Sequence, residues 1–522
     1  MIHTSPLPDA EIPEVSLPGY VLEHATRRGD HPALIDGPTG RVLTYAQLAD
    51  QSARLAGGLR ARGFGPGDVL AIMAPNLPEF AIVFLGAAMA GGTVTTLNPT
   101  YTEPEVHHQL NDAGATLLVT VPMLLDVARS AVEGTPTSEV FVLGDATDGV
   151  PSVLDLFGEP SDAPVEVDPL EDVVLLPYSS GTTGLSKGVM LTHHNLVANI
   201  AQVVAASGMD DSDVVMAVLP FFHIYGMQVL MNSALRAGAT IVTMPRFDLE
   251  EFLQLHQDHG ITRSFVAPPI VVALAKHPVV DNYDLSHVRQ IFSAAAPLSA
   301  ELANEASQRL GCEVVQGYGM TEMSPVSHLT ALGGAKPGSV GVTAPNTETR
   351  IVDPVSGESF GVDVDGEVWV RGPQVMKGYL NNDRATQETL DPDGWLHTGD
   401  IGRIDADGHL FIVDRLKELI KYNGFQVPPA ELEALLLTHP AVADAAVIGL
   451  PDESAGEIPV GYVVLRPGVE VATEEIQDFV AGQVAHYKQI RQLHLVEEIP
   501  KSASGKILRR ILRDAAVSDS EG

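Results

Sequence analysis

The chain has 522 residues, of which 45% are hydrophobic and 19% charged, and its formal net charge is −36. This composition is typical of a globular protein with two or more domains. The acidic balance argues against nucleic-acid binding, which needs clustered Lys and Arg side chains. The only cysteine, Cys312, excludes internal disulfides and a thiolate zinc site, and it predicts a reducing cytoplasm.

Short β-branched segments alternate with longer helical patterns through the first 320 residues. In chain order, the pattern predicts a strand at 69–73, a helix at 78–90, strands at 92–96, 173–176 and 188–192, and a helix beginning near Asn195. Further strands are predicted at 240–244, 264–267 and 288–292, and further helices at 249–260, after Pro269 and at 299–311. This alternation predicts parallel sheets with helices on both faces.

The uncharged segment 214–235 has the length of a membrane-spanning helix. Pro220, His223 and Gly226 interrupt it, however, and its first residues have the pattern of a strand. We therefore predict a buried strand, loop and helix, and no membrane contact.

The pattern changes at Gly338, where Gly and Asp turns begin to separate short strands such as 367–370. This change predicts a small distorted β-barrel. Beyond residue 416, a helix at 429–438, strands at 443–450 and 461–465 and a helix at 474–485 predict a compact α+β unit. The predicted architecture is a large N-terminal domain at 1–416, with two layered αβ subdomains and the barrel, and a small mobile lid at 417–522.

Residues 178–188 combine hydroxyl side chains, three glycines and Lys187. Glycines let backbone N–H groups face an anion, hydroxyls add donors and lysine adds a mobile cation, so we predict a phosphate-binding loop. It is not the common P-loop, because Ser186 precedes the lysine. The residues expected to contact phosphate are Ser179, Ser180, Gly181, Thr182, Thr183 and Lys187.

Two other interpretations of this loop are open. Gly184, Ser186 and Gly188 fit the nucleophile elbow of esterases, which needs a strand directly before the serine and a helix directly after it. Here the strand ends near Pro177 and another strand follows, which disfavours the elbow. A surface loop without a ligand is the second alternative.

Three later motifs favour the phosphate site. Residues 316–322 read Gln-Gly-Tyr-Gly-Met-Thr-Glu, residues 394–400 read Gly-Trp-Leu-His-Thr-Gly-Asp, and residues 500–506 read Pro-Lys-Ser-Ala-Ser-Gly-Lys. Each alone would indicate a turn or an exposed lysine. In this order, and behind the loop at 178–188, they resemble the signature motifs of the adenylate-forming superfamily, which contains acyl-CoA synthetases, luciferases and peptide-synthetase adenylation domains.

The resemblance implies ATP, Mg²⁺ and coenzyme A as reactants, and it implies roles for individual residues. Tyr318 would stack on adenine, Asp400 would accept hydrogen bonds from the ribose hydroxyls, and Arg415 would add a donor. Glu322 would bind Mg²⁺, which prefers carboxylate oxygen. Lys506 would bridge the acid and the α-phosphate in the transition state. Further nucleotide contacts are implied for Gln316, Gly317, Gly319, Thr321 and Gln426.

Residues 222–225 and 414–427 are most similar to those of 4-coumarate:CoA ligases. The similarity implies that Lys417 is the hinge about which the lid rotates between two half-reactions. Lys421 and Gln426 would act in one or the other lid orientation, and Gly424 would line the pantetheine tunnel together with Lys421. A lysine acetyltransferase acting on Lys506 is also implied.

By the same similarity, His223 gates the acid's carboxylate and the acid pocket is lined by Tyr225, Ala294, Gly319, Pro325 and Val326. Ala294 stands where these ligases usually have glycine. Its methyl group fills space that a ring hydroxyl or methoxyl needs, and such overpacking costs roughly 1–3 kcal/mol. We therefore predict cinnamate and 4-coumarate as good substrates and caffeate and ferulate as poor ones.

Other functions are open at this point. The acid could be a medium-chain fatty acid, or the acyl group could be loaded onto a carrier protein by a stand-alone adenylation enzyme. Luciferase chemistry shares the nucleotide residues. A non-enzymatic nucleotide-binding regulator is disfavoured, because binding alone would not require the distant Lys506.

Overall fold

The computed structural model describes residues 1–160, 165–179, 186–423, 425–452, 454–502 and 505–520. Two seven-stranded, mainly parallel sheets organise residues 32–379. In pairing order, the first sheet contains Gly378–Tyr379, Lys187–Thr192, Val173–Ser179, Thr93–Thr96, Val69–Met73, Ala115–Thr120 and Glu139–Val142. The second contains Glu313–Gln316, Gln290–Ser293, Arg263–Val266, Val214–Ala217, Thr240–Thr243, Pro32–Asp36 and Val42–Thr44.

Helices connect and cover these strands, as the alternating pattern predicts. Local signals fix their ends: Thr192 and Asn195 form a capping box at the start of one helix, and Gly208 ends it in the left-handed conformation. The α-helices are Leu17–Val21, Ala25–Arg28, Tyr45–Ala61, Pro78–Met89, Glu103–Ala113, Leu125–Val132, His193–Ser207, Ala234–Ala237, Leu249–His259, Pro268–Lys276, Ala300–Leu310 and Asp383–Thr389. Short 3-10 turns are Pro122–Leu124, Val153–Leu156, Pro278–Asn282 and Thr321–Met323.

The strand Lys187–Thr192 runs antiparallel to Val173–Ser179, which corrects the prediction of a wholly parallel sheet here. Only residues 180–186 separate the two strands, and a parallel crossover needs a longer connection. Ser186 is therefore followed directly by a strand and not by a helix. The structure excludes the esterase elbow on this ground.

The segment 214–235 forms the strand Val214–Ala217, a π-helix at Gly226–Ser233 and the helix Ala234–Ala237. Strand, loop and helix are confirmed, although the helical part is mostly of the π type. A membrane-crossing helix, long and apolar enough, is not found in the described part of the chain. The ring of Phe221 packs against Phe80 at 5.7 Å between centroids, which ties the loop carrying His223 to the first sheet's helix Pro78–Met89.

Antiparallel strands form the predicted barrel-like region. Five of them pair in the order His3–Thr4, Glu348–Val352, Gly366–Arg371, Leu396–Ile404 and Leu410–Arg415, and three more are Tyr318–Gly319, Val326–Leu329 and Val342–Thr343. A bridge between Val342 and His409 links the two groups. This curled region confirms the predicted fold class and brings the motif at 316–322 beside the motif at 394–400.

The C-terminal unit has its own hydrophobic core, formed by buried side chains that begin at Ile420. Its strands are Phe425–Val427, Ile420–Tyr422, Gly456–Leu465, Val442–Asp452 and Gln492–Leu495. Its helices are Pro429–Thr438, Thr473–Ala481 and Arg509–Ser520, with a 3-10 turn at His486–Lys488. This separate core starts three residues after Lys417, close to the predicted domain boundary.

Candidate functional site

Glu322 is a buried carboxylate that contacts Ser179, at one described end of the phosphate loop, and is connected through Tyr379 to Lys187, at the other end. It is 5% exposed, and its Oε1 accepts hydrogen bonds from Ser179 Oγ at 3.1 Å and from Tyr379 Oη at 2.7 Å. Lys187 Nζ lies 4.2 Å from the centre of the Tyr379 ring. The structure thus assembles Ser179, Lys187 and Glu322, which are far apart in the sequence. Ser180, Gly181, Thr182 and Thr183 lie outside the described residues.

The described residues contain no group of three or more His, Cys, Asp or Glu side chains that could hold a metal ion. Glu322 is therefore not part of such a group. One or two carboxylates together with substrate phosphates are the usual environment of Mg²⁺. The carboxylate of Glu322 therefore fits a metal ion that binds together with a polyphosphate. It does not fit a metal ion held by protein ligands alone.

Asp400 lies at the meeting point of two other motifs. Tyr318 Oη donates a hydrogen bond to its Oδ2 at 2.6 Å, and Arg415 Nε lies 3.0 Å from its Oδ1. Burial and the adjacent carboxylate raise the pKa of Tyr318 well above its ordinary value, so the phenol stays protonated as a donor. A ring and a buried carboxylate held side by side can bind the base and the vicinal diol of one nucleoside.

Gly317 and Gly319 are required by close packing around Tyr318. A Cβ at Gly317 would lie 2.4 Å from Phe292 Cζ, and one at Gly319 would lie 1.9 Å from the carbonyl oxygen of Pro325. No side chain fits at either position. Gln316, at the end of its strand, is buried and accepts a hydrogen bond from Leu298 N at 3.3 Å. Thr321, also a predicted nucleotide contact, begins the 3-10 turn that carries Glu322.

Lys506 reaches the same cleft from the C-terminal unit. The charges of Arg415, Asp400 and Glu418 act on its amine, and the charge of Lys506 in turn acts on His223. Burial and the positive charge of Arg415 lower the pKa of Lys506 to about 8. The structure therefore brings the last predicted lysine to the site formed by the earlier motifs.

The backbone before Lys506 packs directly on the large unit. Gly505 has φ +83°, and a Cβ there would lie 3.0 Å from Ala267 Cβ and 3.6 Å from Pro269 Cδ. The loop is thus seated on the start of the helix Pro268–Lys276. A side chain at Gly505 would both strain the backbone and push the loop away.

His223 is held as a neutral imidazole. Its Nδ1 accepts a hydrogen bond from Tyr225 N at 3.2 Å, which places the ring proton on Nε2. Burial and the charge of Lys506 lower the pKa of His223 to about 4. At neutral pH the residue is a hydrogen-bond donor through Nε2 without a charge.

The predicted acid-pocket residues fall in two sets, one at the strand Gln290–Ser293 and one in the short antiparallel sheet. Tyr225 Oη lies 3.4 Å from the carbonyl oxygen of Phe292, and Ala294 follows directly after the strand Gln290–Ser293. Gly319 pairs with Val326 in the short antiparallel sheet. Pro325, which precedes Val326, accepts a backbone hydrogen bond from Met320 at 2.9 Å.

Three predicted residues of the C-terminal unit are not brought to the nucleotide site. Lys417, Lys421 and Gln426 are exposed. Lys421 and Gln426 are paired opposite each other in a hairpin. Gly424 lies outside the described residues.

The structure also reveals residues that the sequence analysis missed. Tyr379 joins Glu322 to Lys187, although no motif singled it out. In the C-terminal unit, Arg509 Nη2 lies 2.7 and 2.8 Å from the two carboxylate oxygens of Glu433, only three residues after Lys506. The sequence does not show which of the two adjacent arginines is structural, because it does not reveal that the Arg509 side chain is largely buried and the Arg510 side chain is exposed.

Two family models match the chain. The model described as AMP-binding enzyme matches residues 21–380, and the model described as AMP-binding enzyme C-terminal domain matches residues 431–506. The first includes the phosphate loop and Glu322, and the second ends at Lys506.

Known proteins are similar over nearly the whole chain. It is 46% identical to 4-coumarate–CoA ligase 3 of Oryza sativa subsp. japonica, over 98% of this chain and 94% of that protein. It is 45% identical to 4-coumarate–CoA ligase 1 of Petroselinum crispum, over 98% of this chain and 96% of that protein.

Solved structures are similar over the same extent. ATP-bound MatB from Rhodopseudomonas palustris has a TM-score of 0.87 at 30% identity, covering 96% of this chain and 99% of that one. The anthranilate CoA ligase AuaEII in complex with anthranoyl-AMP has a TM-score of 0.89 at 26% identity, covering 97% and 98%. The similarity therefore includes both units of the chain.

Proposed function

This chain belongs to the AMP-binding enzyme family, and from that premise we propose that it is an ATP-dependent carboxylate:CoA ligase acting on a hydroxycinnamate. The observation that carries the proposal is the position of Lys506. Its partly buried amine lies close enough to Asp400 and Arg415 for their charges to act on it, and close enough to His223 for its own charge to act on that ring. That is where the α-phosphate of a nucleotide held by Tyr318 and Asp400 would lie beside an acid held at His223.

In the first half-reaction, a carboxylate oxygen of the acid attacks the α-phosphorus of ATP. The bond from that phosphorus to the bridging oxygen breaks, pyrophosphate leaves and an acyl-adenylate remains. His223 Nε2–H orients the carboxylate, and the Lys506 ammonium stabilises the negative charge that builds up between acid and phosphate. Glu322 would hold the Mg²⁺ that accompanies ATP, and this ion would supply charge neutralisation at the phosphates.

In the second half-reaction, the thiol sulfur of CoA attacks the acyl carbon, the carbon–oxygen bond to AMP breaks and the thioester forms. We propose that the lid 417–522 turns about Lys417 for this step. Withdrawal of Lys506 would be accompanied by entry of the hairpin that carries Lys421 and Gln426, whose side chains face solvent here. Gly424 would then line the pantetheine tunnel.

Two observations support the proposed identity of the carboxylic-acid substrate. The relatives in rice and parsley are named 4-coumarate–CoA ligases, and Tyr225, Pro325 and Val326 match that family's pocket. Ala294 narrows the pocket where glycine is usual. Cinnamate and 4-coumarate are thus the proposed substrates.

The decisive test is to incubate the protein with ATP, Mg²⁺, CoA and 4-coumarate and to follow the conjugated thioester by absorbance. Thioester should form only when all four are present, with one pyrophosphate released for each thioester. A panel including medium-chain fatty acids, a carrier protein in place of CoA, and luciferin with oxygen checks the alternatives. Higher kcat/KM for a fatty acid, acyl transfer only to the carrier, or light emission would overturn the proposal.

Replacing Ala294 with glycine is expected to raise kcat/KM for caffeate about 5- to 160-fold, because removal of the methyl group relieves overpacking of roughly 1–3 kcal/mol. Pyrophosphate release in the presence of each acid measures the effect. Cinnamate, which lacks ring substituents, is the internal control and should change by less than about threefold on the same argument. An unchanged preference between caffeate and cinnamate would refute this account of the pocket.

The pH dependence of adenylation should follow the Lys506 amine. Its pKa of about 8 means that the ammonium is present below pH 8 and lost as pH rises through that value. The kcat/KM for ATP, which reports groups of the free enzyme, should fall about tenfold per pH unit above it. In a Lys506→Arg variant the charge persists, so the residual activity should not show this alkaline decline. A decline shared by both proteins would assign it to another group.

Two further proposals rest on the family resemblance and the composition. Acetylation of Lys506 by a lysine acetyltransferase would remove the ammonium charge and stop adenylation, and mass spectrometry of the native protein tests it. A cytoplasmic location remains a prediction from the single cysteine.

A further inference from the structure

Tyr379 is the side chain through which the carboxylate Glu322 and the cation Lys187 are connected. We propose that Tyr379 is a positioning residue with two separable tasks: its hydroxyl orients Glu322 toward Mg²⁺, and its ring face holds the Lys187 ammonium ready for the phosphates of ATP. The inference rests on the proposed function, because that function supplies MgATP as the ligand. It assigns a role to a residue outside all four sequence motifs.

The backbone of Tyr379 is fixed to the strand that Lys187 begins. Tyr379 pairs with Val189 in the first sheet, and the next residue, Leu380, donates a hydrogen bond to the carbonyl oxygen of Gly188 at 2.8 Å. Tyr379 N also donates to Thr386 Oγ1 at 2.9 Å. The side chain is 4% exposed. Tyr379 therefore has a fixed position relative to the lysine end of the phosphate loop.

The hydrogen bonds at Glu322 leave one carboxylate oxygen for a ligand. Both Ser179 and Tyr379 donate to Oε1, and within the described ranges Oε2 has no hydrogen-bond partner. A hydroxyl donor on one oxygen of a buried carboxylate is charge-assisted and directional. It fixes the plane of the carboxylate and so the direction in which Oε2 faces a cation.

The ring contact keeps the charge of Lys187 available. A cation over a tyrosine face at 4.2 Å is attracted to the ring quadrupole. Within the described residues, Lys187 Nζ has no carboxylate at ion-pair distance. An ammonium held by a neutral ring can turn to a phosphate without breaking a salt bridge, whereas one paired with a carboxylate could not.

Titration calorimetry with ATP, in the presence and absence of Mg²⁺ and without acid or CoA, separates the two tasks. Tyr379→Phe removes only the hydroxyl. It should reduce the Mg²⁺-dependent gain in ATP affinity about tenfold, the range of a charge-assisted hydrogen bond, and leave metal-free ATP affinity unchanged. Tyr379→Leu removes the ring as well and should weaken metal-free ATP binding by a further factor of about 3 to 10, the range of a cation–π contact.

Tyr45→Phe is the matched control. Tyr45 is fully buried and donates to the carbonyl oxygen of Ala239 at 2.8 Å, outside the site, so this variant should bind ATP as the wild type does in both conditions. Thermal unfolding of each variant checks folding, and the isosteric Tyr379→Phe change decides the hydroxyl task even if Tyr379→Leu does not fold.

The outcomes distinguish this inference from the proposed function. A wild-type protein that does not bind ATP, or binds it equally with and without Mg²⁺, contradicts the proposed function and the role of Tyr379 together. If Mg²⁺ raises the ATP affinity of the wild type, and the gain in the Tyr379→Phe variant is within about twofold of the wild-type gain, the hydroxyl task alone is overturned. Equal metal-free affinities for the Phe and Leu variants overturn the ring task.

Discussion

Replacing Lys506 with alanine is expected to lower the rate of acyl-adenylate formation by about 100-fold or more, the loss typical of a group that stabilises transition-state charge. Formation of the thioester from supplied 4-coumaroyl-AMP should be nearly unchanged, because the ammonium acts only while the α-phosphate is being displaced. Pyrophosphate release without CoA measures the first step. Thioester absorbance with synthetic adenylate measures the second.

Lys501 provides a matched control in the same loop. Its Nζ is paired with Asp444 at 2.6 Å, within the C-terminal unit, so Lys501→Ala should leave both steps near their wild-type rates. Lys421→Ala should show the opposite bias to Lys506→Ala, with thioester formation lost and adenylation retained. Equal loss of both steps in Lys506→Ala would contradict the role assigned to this lysine and the lid rotation built on it.

The parts of the fold that could be predicted from the sequence carry local signals. The helix Leu249–His259 begins after a capping Asp248 and ends at the left-handed Gly260, and both signals are visible in the sequence. The helix Pro429–Thr438 starts at a proline and has the predicted bounds. Pairing over long distances has no such signal. The strand His3–Thr4 pairs with residues 348 and 349, and nothing in the first four residues indicates this partner.

The same distinction applies to the candidate site. Glu322, Asp400 and Lys506 could be singled out from the sequence because they lie in motifs that, in this order, resemble those of the adenylate-forming superfamily. Tyr379 could not, because its role arises from the pairing of a two-residue strand with Lys187–Thr192, some 190 positions earlier. The neutral state of His223 was equally inaccessible, since it depends on burial and on the approach of Lys506 from another unit. The resemblance of the motifs thus indicated candidate residues for the reaction, and only the fold showed which side chains contact them.

The buried ion pair behind Lys506 predicts the largest stability effect. Arg509 Nη2 contacts both oxygens of Glu433, its Nε donates to the carbonyl oxygen of Val447 at 3.2 Å, and both side chains are nearly buried. Arg509→Met should therefore destabilise the C-terminal unit by about 3–5 kcal/mol, because it leaves Glu433 as an uncompensated buried charge. Urea unfolding at pH 7 measures the loss.

The double variant Arg509→Met with Glu433→Leu distinguishes the stranded charge from lost packing. Replacing both partners by apolar side chains should recover most of the lost stability, since exchanging a buried ion pair for apolar groups often leaves stability unchanged. Arg510→Met is the control, because Arg510 is 74% exposed and lies 3.9 Å from the carboxylate of Asp514. This variant should change stability by less than about 1 kcal/mol.

Burial already raises the pKa of Glu433, and without Arg509 that pKa rises further. The destabilisation caused by Arg509→Met should accordingly become smaller as pH falls and Glu433 becomes neutral. A loss of stability that does not depend on pH and persists in the double variant would contradict this account. It would mean that packing, and not charge, holds the segment that carries Lys506 in place.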